Sequence, residues 1–340
     1  MRKILLMTAA LVCIMLFTTA CKSIDNNEHT KTWFAMDTFI QVTAYGENAA
    51  EAVETVQDEI FRLEELWSVT DEKSELYGLD HKGSGVVSDD TAELISFALD
   101  ISEKSGGALD PTIYPVLSAW GFTTDNKRVP PSDEILRLLE LVDYKAVDIF
   151  DNTVTLRDGM MLDLGAVAKG AASDKAAEIL RKNNIRSALV NLGGNIMTVG
   201  TKPDGKDWRV GVKDPVGDGD IGILELHDCA AVTSGMYERY FIGENGTLYG
   251  HIIDPKNGYP VNNELISATV ISPEGRLCDA LSTAVFVMGA DRAAELWRDM
   301  GGYDMLLITK DKEVIITDGI EERFTLTNKS LTLKVLGSDR

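Results

Sequence analysis

The chain has 340 residues, 44% of them hydrophobic and 26% charged, with 9 Pro and 29 Gly, which rules against disorder, collagen-like repeats and a coiled coil. Thirty-three Lys and Arg face 54 Asp and Glu, a net charge of −21, so the surface repels DNA, RNA and anionic lipid and argues against nucleic-acid binding. A polyanionic substrate would need local help from a metal ion or from backbone N–H groups.

The N-terminus reads as an export signal: Met1-Arg2-Lys3, an apolar run from Ile4 to Phe17, then Thr18-Thr19-Ala20 before Cys21. The apolar run is shorter than the roughly 20 residues a bilayer span needs. Cys21 after Ala20 resembles a bacterial lipobox, whose cysteine is acylated and becomes the first mature residue; Thr18 stands where a larger aliphatic residue is usual. A cleaved soluble protein and an uncleaved anchor are the alternatives. Residues 1–20 are thus read as a signal peptide, 21–31 (CKSIDNNEHTK) as a polar tether, and 32–340 as the folded part.

From Trp33 onward the chain is dense in structure. Residues 38–45 (TFIQVTAY) alternate as a strand, and 48–66 carry Val53, Val56, Ile60, Leu63 and Leu66 at helical spacing. Further amphipathic helices are expected over 90–105, 132–142, 168–183 and 291–300. Strands are expected over 146–150, 153–156, 188–192, 208–212, 222–226, 247–253, 266–271, 305–309 and 313–317, with hairpin joints at Asp151-Asn152 and Asp311-Lys312. Adjacent strand pairs mixed irregularly with helices give an α+β class with mixed, largely antiparallel sheets, as one large domain or two intimately joined lobes. Outside the leader only Cys229 and Cys278 remain, both in apolar stretches, which favours two buried thiols over a disulfide; no Cys/His spacing of a zinc site occurs.

Several segments could carry chemistry. Residues 161–174 (MLDLGAVAKGAASD) deliver Asp163 from an apolar strand into a Gly165/Gly170 loop that opens a helix, suited to phosphate or simply to tight packing. Asp279 and Thr283 are four apart and share a helix face, as a cation site would need; helix capping by Asp279 is the plainer reading. His251, in a strand ending at Asp254-Pro255, is the best general-base candidate of the four histidines, against a structural role. Thr233-Ser234-Gly235 lacks the GxSxG setting of a serine hydrolase.

Taken in order, these segments resemble the ApbE family of flavin transferases, the FAD:protein FMN transferases. The resemblance is carried by Met36-Asp37-Thr38 (usually Met-Gly-Thr), SGGALDPT at 105–112, LDLGAVAKG at 162–170, LVNLGGN at 189–195, TSGMYER at 233–239, GHIIDP at 250–255 and DALSTA at 279–284. It implies a T-fold-like α+β domain and Mg²⁺ held by Asp279, Thr283 and the carbonyl of Ala166. It implies FAD contacts from Met36, Ala108, Leu109, Asp110, Asp163, Lys169 and Ile253, and His251 as the catalytic base. Trp67, near the place of a family aromatic that packs on the flavin, is the stacking candidate, with Thr70 in the aligned position. The resemblance further implies FAD as substrate and FMN moved to a threonine of an exported or membrane acceptor, with AMP released. That acceptor would carry a Ser/Thr-Gly-Ala-Thr-like motif on a membrane redox-complex subunit. The enzyme would be held at the extracytoplasmic membrane face through lipid on Cys21. An FAD pyrophosphatase and a non-catalytic FAD-binding lipoprotein are the alternatives.

Overall fold

The computed structural model describes residues 27–124, 126–244 and 246–337. Cys21, the leader and most of the tether lie outside the described residues. Nine strands form one sheet whose spatial order follows the chain: β1 (Glu28–Ala35), β2 (Thr38–Tyr45), β3 (Ser187–Leu192), β4 (Asn195–Val199), β5 (Ala230–Gly235), β6 (Leu265–Ser272), β7 (Asp304–Thr309), β8 (Glu313–Thr317) and β9 (Thr332–Leu336). Neighbours are antiparallel except β8 and β9, which run parallel. The first and last described strands thus share one sheet, and the described chain is a single α+β domain.

Eight helices are described: α1 (Ala49–Trp67), α2 (Glu75–Lys82), α3 (Asp89–Lys104), α4 (Tyr114–Trp120), α5 (Ser132–Leu139), α6 (Ala168–Lys182), α7 (Gly275–Met288) and α8 (Ala290–Met300). None is long and apolar enough to cross a membrane among the described residues. Helices including α1, α6 and α7 cover one face of the sheet, where Val53, Val56, Ile60 and Leu63 of α1 pack into a core with Ile40, Val42 and Ala44 of β2, while α4 and α5 pack together in a separate cluster around Trp120 and Ile135. A three-stranded antiparallel sheet (Trp208–Lys213, Asp220–Leu226 and Phe324–Leu326) covers part of the other face. Strand alternation explains the apolar run in β7: Met305 and Leu307 join the helix-side core, whereas Leu306 and Ile308 join Ile221, Leu224 and Leu226. Cys229 and Cys278 are free, buried, and lie in different cores.

The domain begins earlier than its composition suggests. β1 starts at Glu28, inside the segment read as tether, because four polar residues there alternate outward and inward along an edge strand. α2 is absent from the sequence reading; it is short, contains Gly78 and buries only Leu76, Leu79 and Asp80. The expected strand over 247–253 contracts to 248–250, followed by an isolated bridge from Ile253 to Pro260. Residues 161–164 are in no ladder, so Asp163 is delivered by an unpaired segment rather than a strand.

Candidate functional site

Asp279 marks the centre of the site, and the helix carrying it is positioned from another helix. The Asp174 carboxylate on α6 accepts the Gly275 and Arg276 amides at 2.6 and 2.9 Å, capping α7 in place of a local side chain. Asp279 therefore sits a full turn inside α7, not at its N-terminus, and does not cap it. Its Oδ2 accepts the Gly170 amide at 2.8 Å, and its Oδ1 accepts from Asn195 Nδ2 at 3.0 Å and faces Lys169 Nζ at 3.7 Å. Such closeness requires Gly170, since a Cβ there would stand 2.4 Å from the Gly275 carbonyl oxygen and 2.7 Å from Asp279 Cβ.

This contact exposes a second oxygen. Because the Gly170 amide is given to Asp279, the Ala166 carbonyl lacks the bond a regular first turn would supply, and no other donor reaches it among the described residues. Thr283 follows Asp279 by one turn, its Oγ1 3.3 Å from Ser234 Oγ, which lies 2.9 Å from Ser282 Oγ. A carboxylate, a hydroxyl and a carbonyl are an all-oxygen set suited to a hard cation. No group of three or more His, Cys, Asp or Glu that could hold a metal occurs among the described residues. A single carboxylate is what Mg²⁺ uses where phosphates and water complete its shell. Burial pushes the Asp279 carboxyl above the ordinary carboxylate range and Lys169 pulls it back, so this buried acid is one that a nearby cation stabilises.

Asp163 lies on the same side. Its amide donates to the Pro111 carbonyl at 2.7 Å and its Oδ1 accepts the Gly165 amide at 2.7 Å. Burial raises its pKa, countered by Lys169 and Arg239. Lys169, anchored to the Gly165 carbonyl at 3.3 Å, thus serves two carboxylates at once.

His251 follows a short hairpin (Tyr240–Ile242 with Leu248–Gly250). Its amide donates to the Arg239 carbonyl at 3.0 Å, and its Nδ1 lies 3.2 Å from the same oxygen. A carbonyl only accepts, so Nδ1 carries the hydrogen and Nε2 keeps its lone pair. Burial, reinforced by the Arg239 charge, lowers the imidazole pKa to about 4. The ring is therefore neutral near pH 7 and available as a base.

The cleft wall at Met36 is a left-handed turn held by side chains from elsewhere in the chain. Met36 and Asp37 both adopt left-handed backbone, at φ 50° and 58°, held by Glu64 on the Met36 amide at 2.7 Å and by Arg239 on the Asp37 carbonyl at 3.3 Å. Trp67 is 6% exposed, and its indole N–H has no acceptor among the described residues. Trp67 and the exposed Thr70 both line the cleft, and of the two only Trp67 carries an aromatic ring. Asp110 is different: its Oδ1 accepts from the Thr112 amide and hydroxyl and its Oδ2 from the Tyr144 amide. That carboxylate shapes its own loop, and Ala108 and Leu109 line the cleft beside it.

Met36, Trp67, Ala108, Leu109, Asp110, Asp163, Ala166, Lys169, His251, Ile253, Asp279 and Thr283 all line one cleft of about 1250 Å³. Among the cleft residues that received no role from sequence reasoning are Asn195 and Arg239. Both stand in segments singled out there, but their contacts to Asp279, Asp37 and His251 are made only by folding. A second cavity, of about 580 Å³, lies by Arg298 and Arg323; Arg323 is already 3.5 Å from Asp304.

Residues 36–307 match the model of the ApbE family. The FAD:protein FMN transferase of Treponema pallidum is 33% identical over 350 residues, covering 95% of this chain and 96% of that protein. The enzyme of the same name from Klebsiella pneumoniae is 32% identical over 309 residues, covering 88% and 95%. Among solved structures, the ApbE protein of Thermotoga maritima superposes with a TM-score of 0.83 at 32% identity, over 87% of this chain and 99% of that one. The flavinyl transferase ApbE of Pseudomonas stutzeri gives 0.79 at 25% identity, over 88% and 97%.

Proposed function

The chain belongs to the ApbE family, and from that premise we propose that it is a Mg²⁺-dependent FAD:protein FMN transferase, joining FMN to a threonine hydroxyl of an acceptor protein and releasing AMP. The observation that carries this reading is the convergence of Asp279, Thr283 and the donor-free Ala166 carbonyl with a neutral His251 in one cleft.

Asp279, Thr283 and the Ala166 carbonyl would hold the ion, which when bound supplies positive charge against the pyrophosphate that this acidic chain would otherwise repel. Lys169, 3.7 Å from Asp279, adds a fixed cation on the phosphate side. Trp67, Met36 and the 108–110 loop would seat the isoalloxazine end. His251 Nε2 would accept the proton of the acceptor hydroxyl as its oxygen bonds to the FMN phosphorus, and the bond from that phosphorus to the bridging oxygen of AMP breaks. The Nδ1–H bond to Arg239 fixes the tautomer this step needs.

The acceptor in this reading carries a Ser/Thr-Gly-Ala-Thr-like motif on a membrane redox-complex subunit. An export signal over 1–20 and a lipidated Cys21 would hold the enzyme on the extracytoplasmic membrane face beside it. Release of AMP from FAD separates the readings. A transferase gives AMP in proportion to acceptor supplied and none in EDTA. Equal AMP with and without acceptor would mean hydrolysis, and bound FAD with no AMP would mean a flavin carrier.

A further inference from the structure

Asp163 reaches the cleft, and Leu162 before it the core, from a segment that no strand pairs. Two consecutive amides of this segment are nevertheless fixed. Asp163 N–H donates to the Pro111 carbonyl at 2.7 Å, and Leu162 N–H donates to Oδ1 of Asp80 at 2.8 Å, across 82 residues of sequence. Asp80 lies in α2, 7% exposed, on the face that also buries Leu76 and Leu79. Its second oxygen, Oδ2, is buried with no hydrogen-bond partner among the described residues. A helix does not need a buried acid there; an apolar residue would complete the Leu76/Leu79 stripe at lower desolvation cost. The carboxyl does for residues 161–164 what a ladder neighbour would do, so its value is to the cleft rather than to α2.

We infer that Asp80 is a positioning residue for FAD binding: by clamping the Leu162 amide it fixes the direction in which Asp163, and the loop running from it to Lys169, enter the cleft. The inference rests on the flavin-transferase reading above. Asp80 does not line the cleft and acts through Asp163.

The same arrangement makes the clamp sensitive to pH. Burial, partly offset by the Leu162 amide and increased by the nearby Asp163 charge, raises the Asp80 pKa to about 7. The ionisable groups around it are Asp163 from the clamped segment, Tyr114 on α4 and Tyr77 on α2, and exposed His81 and Lys82 follow it on its own helix. Because the folded-state pKa is raised, Asp80 carries its proton below about pH 7 and gains a charge as pH rises through that value. That charge appears next to Asp163, where anionic FAD has to bind. FAD affinity therefore falls with rising pH, by up to about tenfold for each unit by which bound FAD raises the Asp80 pKa.

The test is the equilibrium Kd for FAD from flavin fluorescence, with kcat and KM from AMP release, at pH 6 to 9 on the purified protein with Mg²⁺ and acceptor. Wild type should bind FAD less tightly at pH 8.5 than at 6.5. Asp80→Asn keeps an acceptor for the Leu162 amide and cannot ionise, so it should bind FAD like wild type at pH 6.5 and lose the alkaline decline. Asp80→Leu removes the clamp and should raise KM and Kd by roughly tenfold with a smaller change in kcat. The inference is overturned if Asp80→Asn retains the wild-type pH dependence. It is equally overturned if Asp80→Leu lowers only the melting temperature and leaves Kd unchanged. Failure of the wild type to bind FAD or release AMP would instead contradict the transferase reading itself.

Discussion

Asp279→Ala is expected to lower FMN transfer by on the order of 10³-fold or more at saturating FAD, the factor that several kcal/mol of charge stabilisation represents. Asp279 is the only carboxylate in the proposed oxygen set with Thr283 and Ala166, and without it a hydroxyl and a carbonyl remain to hold a divalent ion. The substitution also deprives the Gly170 amide and the Asn195 side chain of their acceptor, so some loss of stability is expected from the vacancy alone. Asp279→Asn separates the two effects. It preserves the shape and an acceptor for Gly170 while removing the charge and the acceptor that faces Asn195, and it should be nearly as inactive as alanine while losing less stability. Rates measured against Mg²⁺ concentration check this. If Asp279→Asn kept full turnover at millimolar Mg²⁺, the assignment of this carboxylate to the metal would be wrong.

His251→Ala should lose about 10²–10⁴-fold in kcat, the usual worth of a general base. FAD affinity should change little, because the proposed flavin seat at Met36, Trp67 and the 108–110 loop does not include His251. The charge state of His251 adds a pH expectation. With its pKa lowered to about 4 by burial and Arg239, the ring is already the free base at pH 6. The kcat of wild type should thus be flat between pH 6 and 8 and fall only in acid, as the imidazole protonates. An ordinary histidine would instead give a limb near pH 6.5. Single-turnover rates with prebound FAD isolate this step; a limb at 6.5, or transfer undiminished in His251→Ala, would remove His251 as the base.

Much of this molecule is legible in the sequence where periodicity is strong and local. The expected strand over 38–45 coincides with β2, and the helix over 168–183 differs from α6 by one residue. β8 likewise matches, because a short β-branched apolar run, Val314 to Ile316, follows a left-handed turn at Lys312. What escapes is set from a distance. α7 starts a turn before the expected position because its cap is Asp174, a residue 101 positions away. β1 hides in polar composition because an edge strand with one exposed face needs few apolar residues. The unpaired course of 161–164 could not be told from a strand, since the amide partners that replace a ladder, Asp80 and Pro111, belong to other segments. The site behaved differently: the ordered motifs located the cleft-lining residues, while the bonds that tune them, from Asn195 and Arg239, appeared only in the fold.

The central claim is that this cleft joins FMN to another protein, and intact mass of an acceptor bearing a Ser/Thr-Gly-Ala-Thr-like motif tests it most directly. After incubation with FAD, Mg²⁺ and the enzyme, the acceptor should gain the mass of one phosphoester-linked FMN. The gain should be matched by AMP, be absent in EDTA, and be lost when the motif threonine is replaced by alanine. An unmodified acceptor beside stoichiometric free FMN and AMP would contradict it.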